Sequence, residues 1–108
     1  MSGQELRVVI RFEAEDAASF RASAEPVVAY WRGREGCLEV ELVRNLDDPG
    51  LWAILSRWRD VGSYRRSFSG FEAKLILTPL LGRAVDEPTA YLAPDEVPDP
   101  VWRGEVEE

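Results

Sequence analysis

The stretch "GCLEVELVRNLDDPGLWAILSRWRD", residues 36–60, constrains the fold more than any other part of the chain. Apolar and polar side chains alternate on both sides of "DDPG", which is the pattern of two strands joined by a tight turn. Pro49 presets φ, Gly50 relaxes the backbone, and the neighbouring aspartates can accept from nearby amides. The first strand sets Leu38, Val40 and Leu42 against Cys37, Glu39, Glu41 and Val43. The return strand sets Trp52, Ile54, Ser56 and Trp58 against Ala53, Leu55, Arg57 and Arg59. A simple four-residue loop would put Leu42 opposite Leu55 and Glu39 opposite Trp58. Glu39 and Glu41 would then share a side with the tryptophans. Because the side-chain period is two, a one-residue slip would send every side chain to the other face.

The flanking segments complete a β-α-β-β-α-β order. "LRVVIRFEA" (6–14) is a strand with Val8, Ile10 and Phe12 on its apolar side. Asp16 is placed to cap a helix whose inner positions are Ala17, Phe20, Ala24, Val27, Val28 and Trp31, with Gly33 and Gly36 as stops. Pro26 lies inside that helix and predicts a bend or break near Glu25, since an interior proline removes a hydrogen bond and clashes with the preceding turn. Asp60 caps a second helix over 61–68, with Tyr64 and Phe68 one turn apart. Ser69–Gly70 interrupts it, and "FEAKLILTPLL" (71–81) resumes with Phe71, Leu75 and Ile76 inward until Pro79 ends or kinks it. "AVDEPTAYL" (84–92) is a final strand that Pro88 confines to a sheet edge or a bulge.

This order is the split βαβ, or ferredoxin-like, α+β pattern, with both helices on one face of a four-stranded antiparallel sheet. The other face is left bare. With Val40, Leu42 and Leu55 placed on it, an exposed apolar patch predicts a homodimer formed sheet to sheet.

Charge and composition narrow the partners. Of the net −7, the last 16 residues hold −5, from 6 acids against 1 base. The division is a domain over 1–92 and an acidic, proline-rich tail over 93–108 expected to lack regular structure, with Trp102 a candidate anchor on a partner. Phosphate backbones require a basic surface, so nucleic acid is excluded as a partner. No apolar run reaches the ~20 residues of a membrane helix. The N-terminal "MSGQELR" has no apolar core of a signal peptide, and the lone Cys37 cannot form an internal disulfide, so the expected location is the cytoplasm. The chain has no histidine, the commonest metal ligand and general base. No metal and no cofactor are expected.

The run "GCLEVELVRNLDDPGLWAILSRWRDVGSYRRSF" resembles the antibiotic biosynthesis monooxygenase family. The likeness rests on the Gly-Cys-Leu strand start, the Asp-Asp-Pro turn, the strand ending in Trp and a polar pair, and a helix with an early aromatic. It spans about residues 6–92, and "AKLILTPLLGRAVDEPTAYL" is similar to an uncharacterised actinobacterial subgroup. The resemblance implies a dimeric α+β barrel, each subunit keeping a pocket between sheet and helices. Haem-degrading relatives use a histidine that has no counterpart here; the matching position is near Leu75. Quinone-forming relatives oxidise phenolic polyketides with O2 and no cofactor. Their strand Trp and a Tyr six residues later match Trp58 and Tyr64, while Ile54 stands where that pattern has an Asn.

The resemblance therefore implies a cofactor-independent monooxygenase acting on a phenolic, polyketide-like aromatic. Trp58 would orient the ring and Tyr64 would hold the oxyanion. Ser56, Ile54, Trp52, Phe68, Glu41 and Lys74 would line the substrate site, with Phe68 helping to close an apolar cavity and Glu41, Lys74 or a water as candidate base. Each residue also has a plainer reading: tryptophans and Phe68 as core, Glu39 and Glu41 as a solvated strand side, Arg57 and Arg59 as surface. The replacement at Ile54 favours a second function, a non-catalytic dimer that binds a small aromatic ligand.

Overall fold

The computed structural model describes residues 4–99, so Trp102 and most of the acidic tail lie outside the described residues. The elements are β1 (Leu6–Glu13), α1 (Ala17–Arg32), β2 (Cys37–Arg44), β3 (Leu51–Trp58), α2 (Val61–Arg66), α3 (Phe71–Leu81) and β4 (Ala90–Tyr91). The sheet is antiparallel throughout, in the order β2-β3-β1-β4. The fold is ferredoxin-like, with helices on one face of a four-stranded sheet.

The core lies between that face and α1. Leu6, Val8, Ile10 and Phe12 of β1 sit opposite Trp58, Ser56, Ile54 and Trp52 of β3, and all eight are buried. Helix α1 adds Phe20, Ala24, Val27, Val28 and Trp31. Its start is fixed by Asp16, whose Oδ1 accepts from the Ser19 amide at 3.0 Å, and Gly33 closes its end.

Helix α1 runs unbroken through Pro26, so of the bend or break expected near Glu25 the break does not occur. Residue 26 falls on the exposed side of the helix, where the carbonyl it leaves unpaired is open to water. Helix α3 likewise continues past Pro79 to Leu81. Its buried face is Ala73, Leu77 and Leu80. Phe71 and Leu75, expected inward, are 77% and 59% exposed, and Ile76 is only half-buried. The segment is apolar on nearly every side, so its pattern does not distinguish the inner stripe. The last strand is shorter than 84–92. Ala84 makes one bridge to Phe12, residues 86–88 bulge away, and only Ala90–Tyr91 resume pairing with β1. Pro88 falls in this bulge at the sheet edge, where it has no ladder bond to donate. One 3₁₀ turn, Pro94–Glu96, follows in the segment expected to be irregular.

The largest correction concerns the hairpin register. Glu39 lies opposite Arg57, Val40 opposite Ser56, Glu41 opposite Leu55 and Leu42 opposite Ile54. The loop has one residue more than expected because Asn45 opens it with its side chain. Asn45 Oδ1 accepts from the amides of Asp47 (2.9 Å) and Asp48 (2.7 Å), and the Asn45 amide donates to Leu51 O at 2.8 Å. Leu46 is thereby spent in the loop and is 94% exposed. A bulge between Cys37 and Glu39 takes up the difference at the other end. Val40 and Leu42 consequently face the helices, and Glu39 and Glu41 face away from them. The patch expected from Val40, Leu42 and Leu55 keeps only Leu55 on the uncovered face.

Candidate active site

Of the groups expected to form the site, Trp58, Ser56, Tyr64 and Phe68 converge around α2. Its cap is Asp60, whose Oδ1 accepts from the Ser63 amide at 2.7 Å. That bond, followed by the Ser63 hydroxyl, holds the Asp60 carboxyl below its usual range. The cap turns the chain off β3 so that Tyr64 and Phe68 meet Trp58 and Trp31. Tyr64 lies 5.4 Å from Trp58 and 5.1 Å from Phe68 between ring centroids. Trp31 contacts Trp58 edge-on at 6.2 Å and Phe68 at 6.0 Å. Tilted and edge-to-face contacts at these distances are the favoured geometry of aromatic pairs.

Both buried indole N–H groups are satisfied. Trp58 Nε1 donates to Ser56 Oγ at 3.0 Å, and Trp31 Nε1 donates to Ser67 Oγ at 3.1 Å. Ser56 thus locks the Trp58 ring rather than presenting a free hydroxyl. Trp58 and Ile54 have no exposed surface at all. Phe68 is half-buried against the same cluster.

Tyr64 is the member of the cluster that reaches an opening. Its side chain lines a cleft of about 290 Å³ with Ile10, Leu81 and the segment Ala84–Glu87. Its hydroxyl has no hydrogen-bond partner among the described residues. Burial pushes its pKa up to about 12, so at neutral pH it is a phenol and a donor. The cleft's outer wall is the bulge before β4. Arg11 pins it, with Nε and Nη2 each donating to Glu87 at 2.6 Å. This two-point contact holds the Glu87 carboxyl below its usual range.

The other expected site residues lie elsewhere. Trp52 stands six residues from Trp58 along β3, about 20 Å at 3.3 Å per residue. There it packs on Phe20 at 5.1 Å and under the Arg44 guanidinium at 4.5 Å. Glu41 is exposed on the edge strand β2, with Leu55 opposite. Lys74 is exposed on α3, off its buried stripe. Ile10, Trp31 and residues 84–89 complete the arrangement and were not singled out as site residues in the sequence. Trp31 carried one available signal, the heptad-like continuation of the Phe20–Ala24–Val27 stripe; the bulge carried none beyond Pro88. No three His, Cys, Asp or Glu side chains cluster as metal ligands among the described residues.

The family model for antibiotic biosynthesis monooxygenase matches residues 6–74. No curated protein matches the chain. Among solved structures, SnoaB, a cofactor-independent oxygenase from Streptomyces nogalater, is similar with a TM-score of 0.72 and 21% identity over 89% of this chain and 99% of that one. A putative antibiotic biosynthesis monooxygenase from Deinococcus radiodurans gives 0.68 and 19%, also over 89% and 99%. A conserved protein from Methanosarcina mazei Go1 gives 0.67 and 22%, over 83% and 91%. At these identities the structural likeness establishes the fold.

Proposed function

The chain belongs to the antibiotic biosynthesis monooxygenase family, and from that premise we propose that it oxidises a phenolic, polyketide-like aromatic with O2 and without a cofactor. The observation that carries this reading is Tyr64: a protonated phenol with no hydrogen-bond partner among the described residues, on a buried aromatic wall and opening into a cleft. Loss of a proton makes the substrate an electron-rich phenolate. One electron passes to O2, and the radical pair recombines at carbon to form a C–O bond. The hydroperoxide then loses water, so that one oxygen atom becomes a quinone carbonyl and the other leaves as water. Tyr64 donates to the developing phenolate oxygen, and Trp58, fixed by Ser56, sets the angle of the wall behind it. Glu41 and Lys74 stand away from the cleft, which leaves a water as the proton acceptor.

Oxygen uptake with an anthrone-like phenol tests the proposal. The expected result is stoichiometric O2 consumption. In Tyr64→Phe, kcat should fall on the order of 10²-fold with a smaller change in KM. Absence of uptake across a panel of such phenols would overturn it.

A second reading has its own support. Ile54 and Trp58 are wholly enclosed, so the strand contributes no exposed polar group to the cleft. This fits a non-catalytic protein that binds a small aromatic ligand, and saturable binding of the same phenols without O2 uptake would select it. Either function is proposed for a cytoplasmic homodimer joined through the open sheet face. Half-buried Val9, Val43, Ala53 and Leu55 form the centre of that face, and Arg7, Arg57, Glu39 and Glu41 stand around them. Sedimentation equilibrium showing a 12.2 kDa species at micromolar concentration would exclude the dimer.

A further inference from the structure

Three arginines from separate parts of the chain gather beside the outer side of α2, away from the Tyr64 cleft. Arg59 Nη2 and Arg66 Nη2 both donate to Ser63 Oγ, at 3.1 and 3.3 Å. Arg34 and Glu35, from the loop after α1, share with Ser63, Arg66 and Ser67 a cleft of about 170 Å³. Arg34 is held by stacking on the Tyr30 ring at 4.8 Å.

The backbone is cleared for this gathering. Gly36 has φ +88°, and a Cβ there would lie 2.2 Å from Ser63 Oγ. A Cβ at Gly62 would lie 3.2 Å from Arg66 Nη1. The charges do not balance. Arg59 is near Glu35 (3.7 Å) and Asp60 (3.5 Å). Neither Arg34 nor Arg66 has an ion-pair partner among the described residues. The Asp60 carboxylate offsets part of the repulsion between Arg59 and Arg66, but three guanidinium groups face only Glu35 and Asp60, which leaves positive charge that a further anion would neutralise. Local positive charge also runs against the chain's net charge of −7, so it is not part of a generally basic surface.

We propose that Arg34, Arg59 and Arg66, the last two braced on Ser63, form a binding site for a phosphate group. Guanidinium forks match tetrahedral oxyanions, and bidentate contacts of this kind are among the strong charge-assisted hydrogen bonds. The cleft is below the roughly 300–1,000 Å³ of pockets that enclose drug-sized ligands, so it suits one oxyanion group and not a ring system. Glu35, 82% exposed by its side chain, competes with the ligand for Arg59.

The test is an NMR titration of the protein with inorganic phosphate at constant ionic strength, following the Gly36 and Ser63 amides. A parallel titration uses glycerol phosphate. Saturable shifts at these amides with either probe are expected, and tighter binding of the ester identifies an organic phosphate as the source. Arg66→Gln and Arg34→Gln should each weaken binding by about tenfold or more, while Glu35→Gln should tighten it severalfold. Arg21→Gln, an arginine outside the cluster, should leave it unchanged. Thermal melts of the exposed-residue variants separate loss of binding from loss of fold. Failure to saturate, or equal weakening by Arg21→Gln and Arg66→Gln, overturns the proposal. So does a Glu35→Gln variant that binds no more tightly than the parent.

Discussion

The two faces of β3 divide its eight residues, four to each, for different purposes. Trp52, Ile54, Ser56 and Trp58 are buried under the helices, while Leu51, Ala53, Leu55 and Arg57 are half-buried on the open side. The covered face is held by dispersion and aromatic geometry, with its few polar atoms paired to one another. The open face is laced by cross-strand ion pairs. Arg57 reaches Glu5 at 3.0 Å and Glu39 at 3.2 Å, and Arg11 reaches Glu87. The contrast teaches that the first face sets stability, whereas the second is a surface whose energy depends on solvent, salt and any partner.

The most severe break of this contrast is Trp58→Ala. Removing a fully enclosed indole should cost about 3–5 kcal/mol in urea denaturation, with the Ser56 hydroxyl left unpaired. Trp58→Phe should retain most of the packing. Gly36→Ala acts on the support behind the covered face. A Cβ at φ +88° that overlaps Ser63 should cost about 1–3 kcal/mol, read from the same transition. Leu55→Ala acts on the open face. On an uncovered face it should cost about 1 kcal/mol. A larger loss that depends on protein concentration would mean that a partner covers the face.

Tyr64 adds a pH-dependent difference. Its folded pKa lies above the ordinary value of 10.0, at about 12. Its contribution is therefore complete below pH 10 and lost as pH rises toward 12. Denaturation midpoints taken across that window should fall less steeply in Tyr64→Phe. The smallest effect belongs to Arg57→Gln. Its ion pairs are solvent-exposed, so a slight loss of stability at low salt should vanish near 1 M NaCl, where the screening length is about 3 Å.

Much of this protein was determined locally. Alternation in β1, β2 and β3 decides which residues of a strand share a face, because successive side chains point to opposite sides whatever the context. Asp16 and Asp60 announce helix starts, since their carboxylates satisfy amides three residues on. The motif order pointed to the family, and the Trp58–Tyr64 spacing brought the two rings together. What alternation cannot decide is which face is inward relative to a neighbouring strand. That depended on the Asn45 side chain lengthening the turn and on the bulge after Cys37, and it moved Glu39 and Glu41 out of the expected site. The inner stripe of α3 was likewise settled by docking, as an evenly apolar segment offers several faces of similar cost. Pro26 and Pro79 were absorbed because each leaves its unpaired carbonyl toward water. Arg59, Ser63 and Arg66 meet at helical spacing, but Arg34 joins them only when the loop after α1 folds against α2, which no spacing in the chain encodes.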